Sequence, residues 1–147
     1  MKNFLLFLLL ASSSTLLSQT QQFNGTWTKV NTTYQFDFEL TLKINSSNQV
    51  EGYFLWKVIK YDEHNILSKQ HYENKLNLTA KEYVKGVYYP SKGEYLLKGY
   101  KKEDPNSIIG IDIYKLTIDE NGELGGTTNS NGSWLGRING RQVFNVL

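Results

Sequence analysis

In the segment Tyr34-Gln35-Phe36-Asp37-Phe38-Glu39-Leu40-Thr41-Leu42-Lys43-Ile44, large apolar or aromatic side chains alternate without a break with polar or charged ones. A backbone of period two sends the first set to one face and the second set to the other. At about 3.3 Å per residue the run amounts to about 36 Å of strand. Strands of this length with one dry and one wet face belong to a curved antiparallel sheet or to a barrel. Asp37 and Glu39 share the wet face and are expected on the outer surface rather than in a catalytic pair.

The same chemistry recurs along the chain. Strand-like stretches fall at 25–30, 33–45, 49–60, 69–79, 81–89, 94–101, 108–118, 123–128, 133–138 and 141–146, and no stretch has the 3.6-residue period of an amphipathic helix. Asp62 to Ser68 is the longest loop candidate and the one region with helical character. Turn residues separate the strands: Asn45-Ser46-Ser47-Asn48, Ser91-Lys92-Gly93, and Asp119-Glu120-Asn121-Gly122. Asn139-Gly140 has the strongest hairpin signature. Asp104 before Pro105 reads as a turn initiator. The expected fold class is all-β, a single up-and-down antiparallel β-barrel of about eight to ten strands, with a β-sandwich as the alternative. A barrel removes the exposed edges that an open sheet would carry, and about eight strands leave an interior that is filled or holds one small ligand.

The first residues read as a targeting segment. Met1-Lys2-Asn3 is short and positive, Phe4 to Ala11 is unbroken apolar, and Ser12 to Thr20 is small and mostly polar. This is the layout of a secretory signal peptide, too short for a membrane span. Residues 1–20 are therefore expected to be the signal, cleaved between Ser18 and Gln22, and residues 21–147 a single barrel domain, secreted or periplasmic. The chain has no cysteine, so neither disulfides nor a cysteine-linked lipid anchor is expected. The net charge is +2, with lysines scattered among acids, as in Lys81-Glu82 and Lys101-Lys102-Glu103-Asp104. No basic stripe points to nucleic acid, and nothing after residue 20 reads as an integral membrane span.

The start and end of the barrel segment carry a recognisable pattern. Gly25-Thr26-Trp27 opens the first strand, and Asn131-Gly132-Ser133-Trp134-Leu135-Gly136 stands near the end. In these motifs the chain resembles the small secreted bacterial members of the calycin group, which comprises lipocalins, avidins and fatty-acid-binding proteins. The resemblance implies that Trp27 closes one end of the barrel and that an arginine of the last strand, Arg137 or Arg141, packs over it. A guanidinium stacked on an indole is physically sound. The chain departs from fatty-acid-binding proteins, whose two-helix lid is replaced here by an uninterrupted strand. It also lacks the cysteines of typical lipocalins and their loop after the first strand.

Candidate chemistry is sparse. His64 and His71 are without a third histidine, so no metal and no other cofactor is expected. No Gly-x-Ser-x-Gly elbow is present, and no catalytic residue is assigned. In Ile108-Ile109-Gly110-Ile111-Asp112-Ile113-Tyr114-Lys115-Leu116, one face carries the isoleucines 109, 111 and 113, and the other Gly110, Asp112, Tyr114 and Leu116. Either Asp112 points into the barrel as a polar anchor, or it points outward while the isoleucines face the core. The chain holds 10 Tyr, 7 Phe and 3 Trp, which suits either barrel packing or recognition of sugars and flat amphipathic molecules. The candidate ligand-binding residues are Trp56, Tyr100, Asp112, Tyr114 and Trp134. The expected function is a non-catalytic binding module for a small amphipathic ligand or a glycan, in the barrel or at its mouth. One alternative is a protein-interaction or inhibitor domain with a filled barrel and a protein partner. Another is a small barrel enzyme using Asp112 with tyrosines.

Overall fold

The computed structural model describes residues 18–130 and 134–144, with the side chain of residue 134 excepted. The residues assigned to the signal lie outside the described residues as far as 17. Eight strands form one closed barrel in which each pairs antiparallel with its chain neighbour and the last returns to the first. They are β1 (Gln19–Lys29), β2 (Gln35–Ile44), β3 (Gln49–Lys60), β4 (Thr79–Tyr89), β5 (Glu94–Glu103), β6 (Ile113–Ile118), β7 (Glu123–Ser130) and β8 (Trp134–Gln142). A helix, α1 (Ile66–Tyr72), lies between β3 and β4. The fold is thus the up-and-down barrel that the alternation implies.

The period-two run behaves as its chemistry dictates. Phe36, Phe38, Leu40, Leu42 and Ile44 are buried inside the barrel, while Asp37 and Glu39 lie on the outer side. Three strand connections at one end are short: 45–48, 90–93 and 119–122. Positive φ falls there on Asn48, Gly93 and Gly122, and the Asp119 carboxylate accepts from the amides of Asn121 and Glu123. This end is plugged by Phe23, Leu42, Tyr95, Leu116 and Leu124. Tyr88 stacks on Tyr95 at 4.5 Å, and the Tyr95 hydroxyl donates to Gln21. The opposite end carries the longer connections, 61–78 with α1 and 104–112.

Four expectations need correcting. The stretch 69–79 is not a strand: Asn65 caps α1 by accepting the Ser68 amide at 3.0 Å. Ser68 and Tyr72, one helical turn apart, form its buried face. Asn139-Gly140 is not a hairpin. It lies inside β8, with Gly140 opposite Gly25 and Leu124, so where two strands are expected over 133–138 and 141–146 the described residues form one, Trp134–Gln142. The glycine serves close approach of backbones rather than a turn, because a β-carbon there would meet the Asn24 carbonyl oxygen at 2.8 Å and the Phe38 ring at 3.0 Å. The stretch 108–118 is strand only from Ile113. Finally, β1 begins at Gln19, ahead of the expected 25.

Gly136, next to Leu135 in the end motif, lies flat beneath Trp27. A β-carbon there would sit 1.9 Å from the indole nitrogen, whereas one at Gly125 meets nothing within 4 Å. Gly136→Ala is therefore expected to destabilise the barrel by about 1–3 kcal/mol through overpacking, and Gly125→Ala to stay within about 0.5 kcal/mol of the parent. Urea denaturation of the two variants checks this.

Candidate functional site

A cavity of about 230 Å³ occupies the end of the barrel that carries the longer connections. Its walls are Trp27 at the end of β1, Phe36 at the start of β2, Trp56 near the end of β3, Glu82 in β4, Tyr114 in β6 and Ser130 in β7. Its roof is α1, through His71 and Tyr72, and the connection 107–110 together with Asp112.

Glu82 is the chemical centre of this cavity. In β4, Ala80, Glu82 and Val84 point inward while the residues between them point away, so the strand delivers a carboxyl group to the interior. The residue is 1% exposed, and one carboxyl oxygen lies against Gly99, which leaves room for it because it has no side chain. The group accepts hydrogen bonds from the Asp112 amide at 2.9 Å, the Trp56 indole at 3.4 Å and the Tyr114 hydroxyl. Burial pushes its pKa up, the donors pull it down, and the nearby Asp112 charge adds to the rise, leaving it at about 7.

Asp112 faces the cavity, and the outward alternative fails. Ile111 and Ile113 are exposed, at 41% and 56%, and of the three isoleucines Ile109 packs against the core. Burial raises the Asp112 carboxyl above the ordinary carboxylate range, and hydrogen bonds with the hydroxyls of Thr128 and Ser130 hold back part of that rise. Thr128 in turn accepts from the Trp27 indole at 2.7 Å, so an indole of the cavity wall also fixes the side chain that holds Asp112.

The roof is tied together by polar bonds. The Tyr72 hydroxyl donates to the Ile108 carbonyl at 3.1 Å, and His71 Nε2 lies 2.7 Å from the Ser107 carbonyl oxygen. Asp104 starts the turn as expected. Its carboxylate accepts the amides of Ile108 and Ile109 at 2.9 and 3.0 Å and pairs with Lys102 at 3.2 Å. Burial alone would raise the Asp104 pKa, but these partners outweigh it and hold the group below the usual value.

Of the expected ligand-binding residues, Trp56, Asp112 and Tyr114 come together in this cavity. Tyr100 does not: Tyr95, Leu97 and Gly99 take the inner face of β5, which leaves Tyr100 outside, 51% exposed, with Lys85 Nζ 5.1 Å from its ring. The side chain of Trp134 lies outside the described residues. Neither arginine packs over Trp27 among the described residues. Arg137 is exposed on β8, and Arg141 pairs with Glu123 on the outer face. Gly136 and Thr128 are the partners of the indole instead. Glu82 enters the sequence reading only in Lys81-Glu82, as an acid among scattered lysines. The signal that locates it is its place between Ala80 and Val84 in an alternating strand. Comparison with family models, with curated proteins and with solved structures finds no match to this chain.

The raised Glu82 pKa has a defined consequence for stability. An unfolded glutamate ionises near 4.5 and the folded one near 7, so between these values the folded state binds more protons than the unfolded one, and stability falls as pH rises. The contribution lost across that window is about 3 kcal/mol, and Asp112 adds to it in the same direction. Glu82→Gln is expected to flatten most of this slope. Denaturation midpoints measured from acid to mildly alkaline pH check it.

Proposed function

We propose that this barrel is a non-catalytic binding module, exported by its leading segment, that takes one small amphipathic ligand into the end cavity. The observation that carries the reading is the division of the interior. One end is filled with interlocked apolar side chains, and the other holds a cavity with aromatic walls and a few fixed polar groups. That mixture is what a small-molecule pocket requires: apolar area for affinity and oriented polar groups for selectivity. A filled-barrel interaction domain has no use for such a space. The closed eight-stranded antiparallel barrel fits a calycin-like fold, and kinship with lipocalins or avidins is part of the proposal.

Gly110 lines the cavity, and a β-carbon there would point to Ser130 and Asp112 at 3.4 and 3.7 Å. Gly110→Leu is expected to fill the mouth without disturbing the core. Native mass spectrometry of protein purified from its host should show a bound small molecule that this variant loses. A parent protein free of any adduct, or a variant that retains it, would count against the reading.

The export proposal has a structural corollary. Gln19 to Gln22 pair with Ile44 to Thr41, and Gln21 accepts the Tyr95 hydroxyl. Cleavage after Ser18 keeps these bonds, whereas cleavage before Gln22 removes them. N-terminal sequencing of the exported protein should therefore read Gln19 first.

A second reading has its own observation. A carboxyl titrating near 7 beside a second carboxyl is suited to general acid–base catalysis. Recovery of a chemically altered compound after incubation with host extracts would favour it over simple binding.

A further inference from the structure

Glu82 and Asp112 face one cavity, and among the described residues neither forms an ion pair. The basic side chain on the cavity wall is His71, and it is already engaged with the Ser107 carbonyl and with Lys75. The groups that do face the two carboxyls are neutral donors: the Tyr114 hydroxyl, the Trp56 indole and the Asp112 amide at Glu82, and the Thr128 and Ser130 hydroxyls at Asp112. Two acids thus share a space of low polarity with hydrogen bonds but no counter-charge. Around them stand aromatic rings, whose faces attract cations and repel anions.

We propose that the ligand of this cavity is a compact organic cation, an amine whose ammonium group sits beside Asp112 and Glu82 while its apolar body lies against Trp56 and Tyr72. This rests on the binding-module reading and narrows it to one ligand class. A carboxylate ligand such as a fatty acid is disfavoured, because it would add negative charge beside two acids that already have no counter-charge. A neutral sugar or alcohol fills the space but leaves the acids without a counter-charge. An ammonium donates up to three hydrogen bonds and supplies the missing charge where water is scarce and the attraction is strong.

Three probes of one shape separate these cases: phenethylamine, 2-phenylethanol and phenylacetate, titrated calorimetrically into the whole exported chain at neutral pH. The amine is expected to bind roughly tenfold or more tightly than the alcohol, and the acid not to bind. Asp112→Asn is expected to reduce the amine-to-alcohol preference by about tenfold. Glu82→Gln provides the same comparison should the first variant fail to fold, and thermal melts report folding for both. Equal binding of amine and alcohol would overturn the cation proposal while leaving the cavity a binding site. Failure of all three probes would overturn the binding reading as well. An amine preference that survives both substitutions would show that the carboxyls do not create it and would also overturn the proposal.

Discussion

The barrel depends on how closely β1 and β8 approach where they close the sheet. Gly25 faces Gly140 across this seam, and a β-carbon on Gly25 would lie 2.2 Å from the Asn139 carbonyl oxygen. Two residues on, the Trp27 indole covers Gly136. A side chain at any of these positions would hold the strands apart and reopen two edges to solvent. The seam also sets the chemistry. Because Trp27 lies flat on Gly136, its N–H reaches Thr128, and the Thr128 hydroxyl reaches Asp112. The closure that makes the barrel therefore also orients the carboxyl at its open end.

The interior is unequal along its axis for reasons of side-chain size. At the plugged end the inward positions are Phe23, Leu42, Val50, Tyr95, Leu97, Leu116 and Leu124, each contributing about 1.5–3 kcal/mol on burial for the larger aliphatic and aromatic side chains. Toward the other end several inward positions are small or polar: Ala80, Gly99, Thr128, Ser130 and Gly136. Glu82 lies among these. An uncompensated buried charge costs several kcal/mol, and a few of the apolar residues at the plugged end offset it. The molecule therefore carries a destabilising acid at a place where space has been left beside it. Packing alone gives no reason for that choice, because an apolar residue at position 82 would fill space and carry no such cost.

How much of this was legible beforehand follows from the range of the interactions involved. Period-two alternation is a local property, so β2 and β3 stand almost at their expected limits, and Asp37 and Glu39 lie outside as their positions require. The short turns at Gly93 and Gly122 are local too. Asn139-Gly140 misled because the same dipeptide serves a tight turn and a close strand crossing, and only the distant Gly25 and Phe38 decide between them. Helical character was legible over Asp62 to Ser68, but most of the seven-residue α1 fell in the expected strand 69–79, because its period is too short to register; its buried face consists of Ser68 and Tyr72. Trp56, Asp112 and Tyr114, named from the sequence, share one cavity, since an acid between apolar neighbours on a strand raises the question of its orientation by itself. Glu82 was missed because it stands next to Lys81 and resembles a surface pair, although Ala80 and Val84 already mark its face as the inner one. The partners of Trp27, Thr128 and Gly136, lie some hundred residues away in the chain, beyond any local pattern.

The route into the cavity follows from where the backbone bonds run. At the plugged end the Tyr88–Tyr95 stack, the Tyr95–Gln21 bond and the short hairpins tie the strands together. At the other end α1 meets the connection 104–112 through side-chain contacts to carbonyl oxygens: Tyr72 to Ile108, His71 to Ser107 and, at 3.5 Å, Lys75 to Ser107. These side-chain contacts lie outside the strand pairing, so breaking them costs a few hydrogen bonds that water can replace. Asp104 keeps the connection folded through its own amide bonds while this happens. Asp112 is part-exposed and Glu82 fully buried, so of the two acids Asp112 is the nearer to solvent. The two acids thus differ in depth, the more hydrated one toward the roof and the deeper one against Tyr114 and Trp56, where the effective dielectric is lower and any charge interaction stronger.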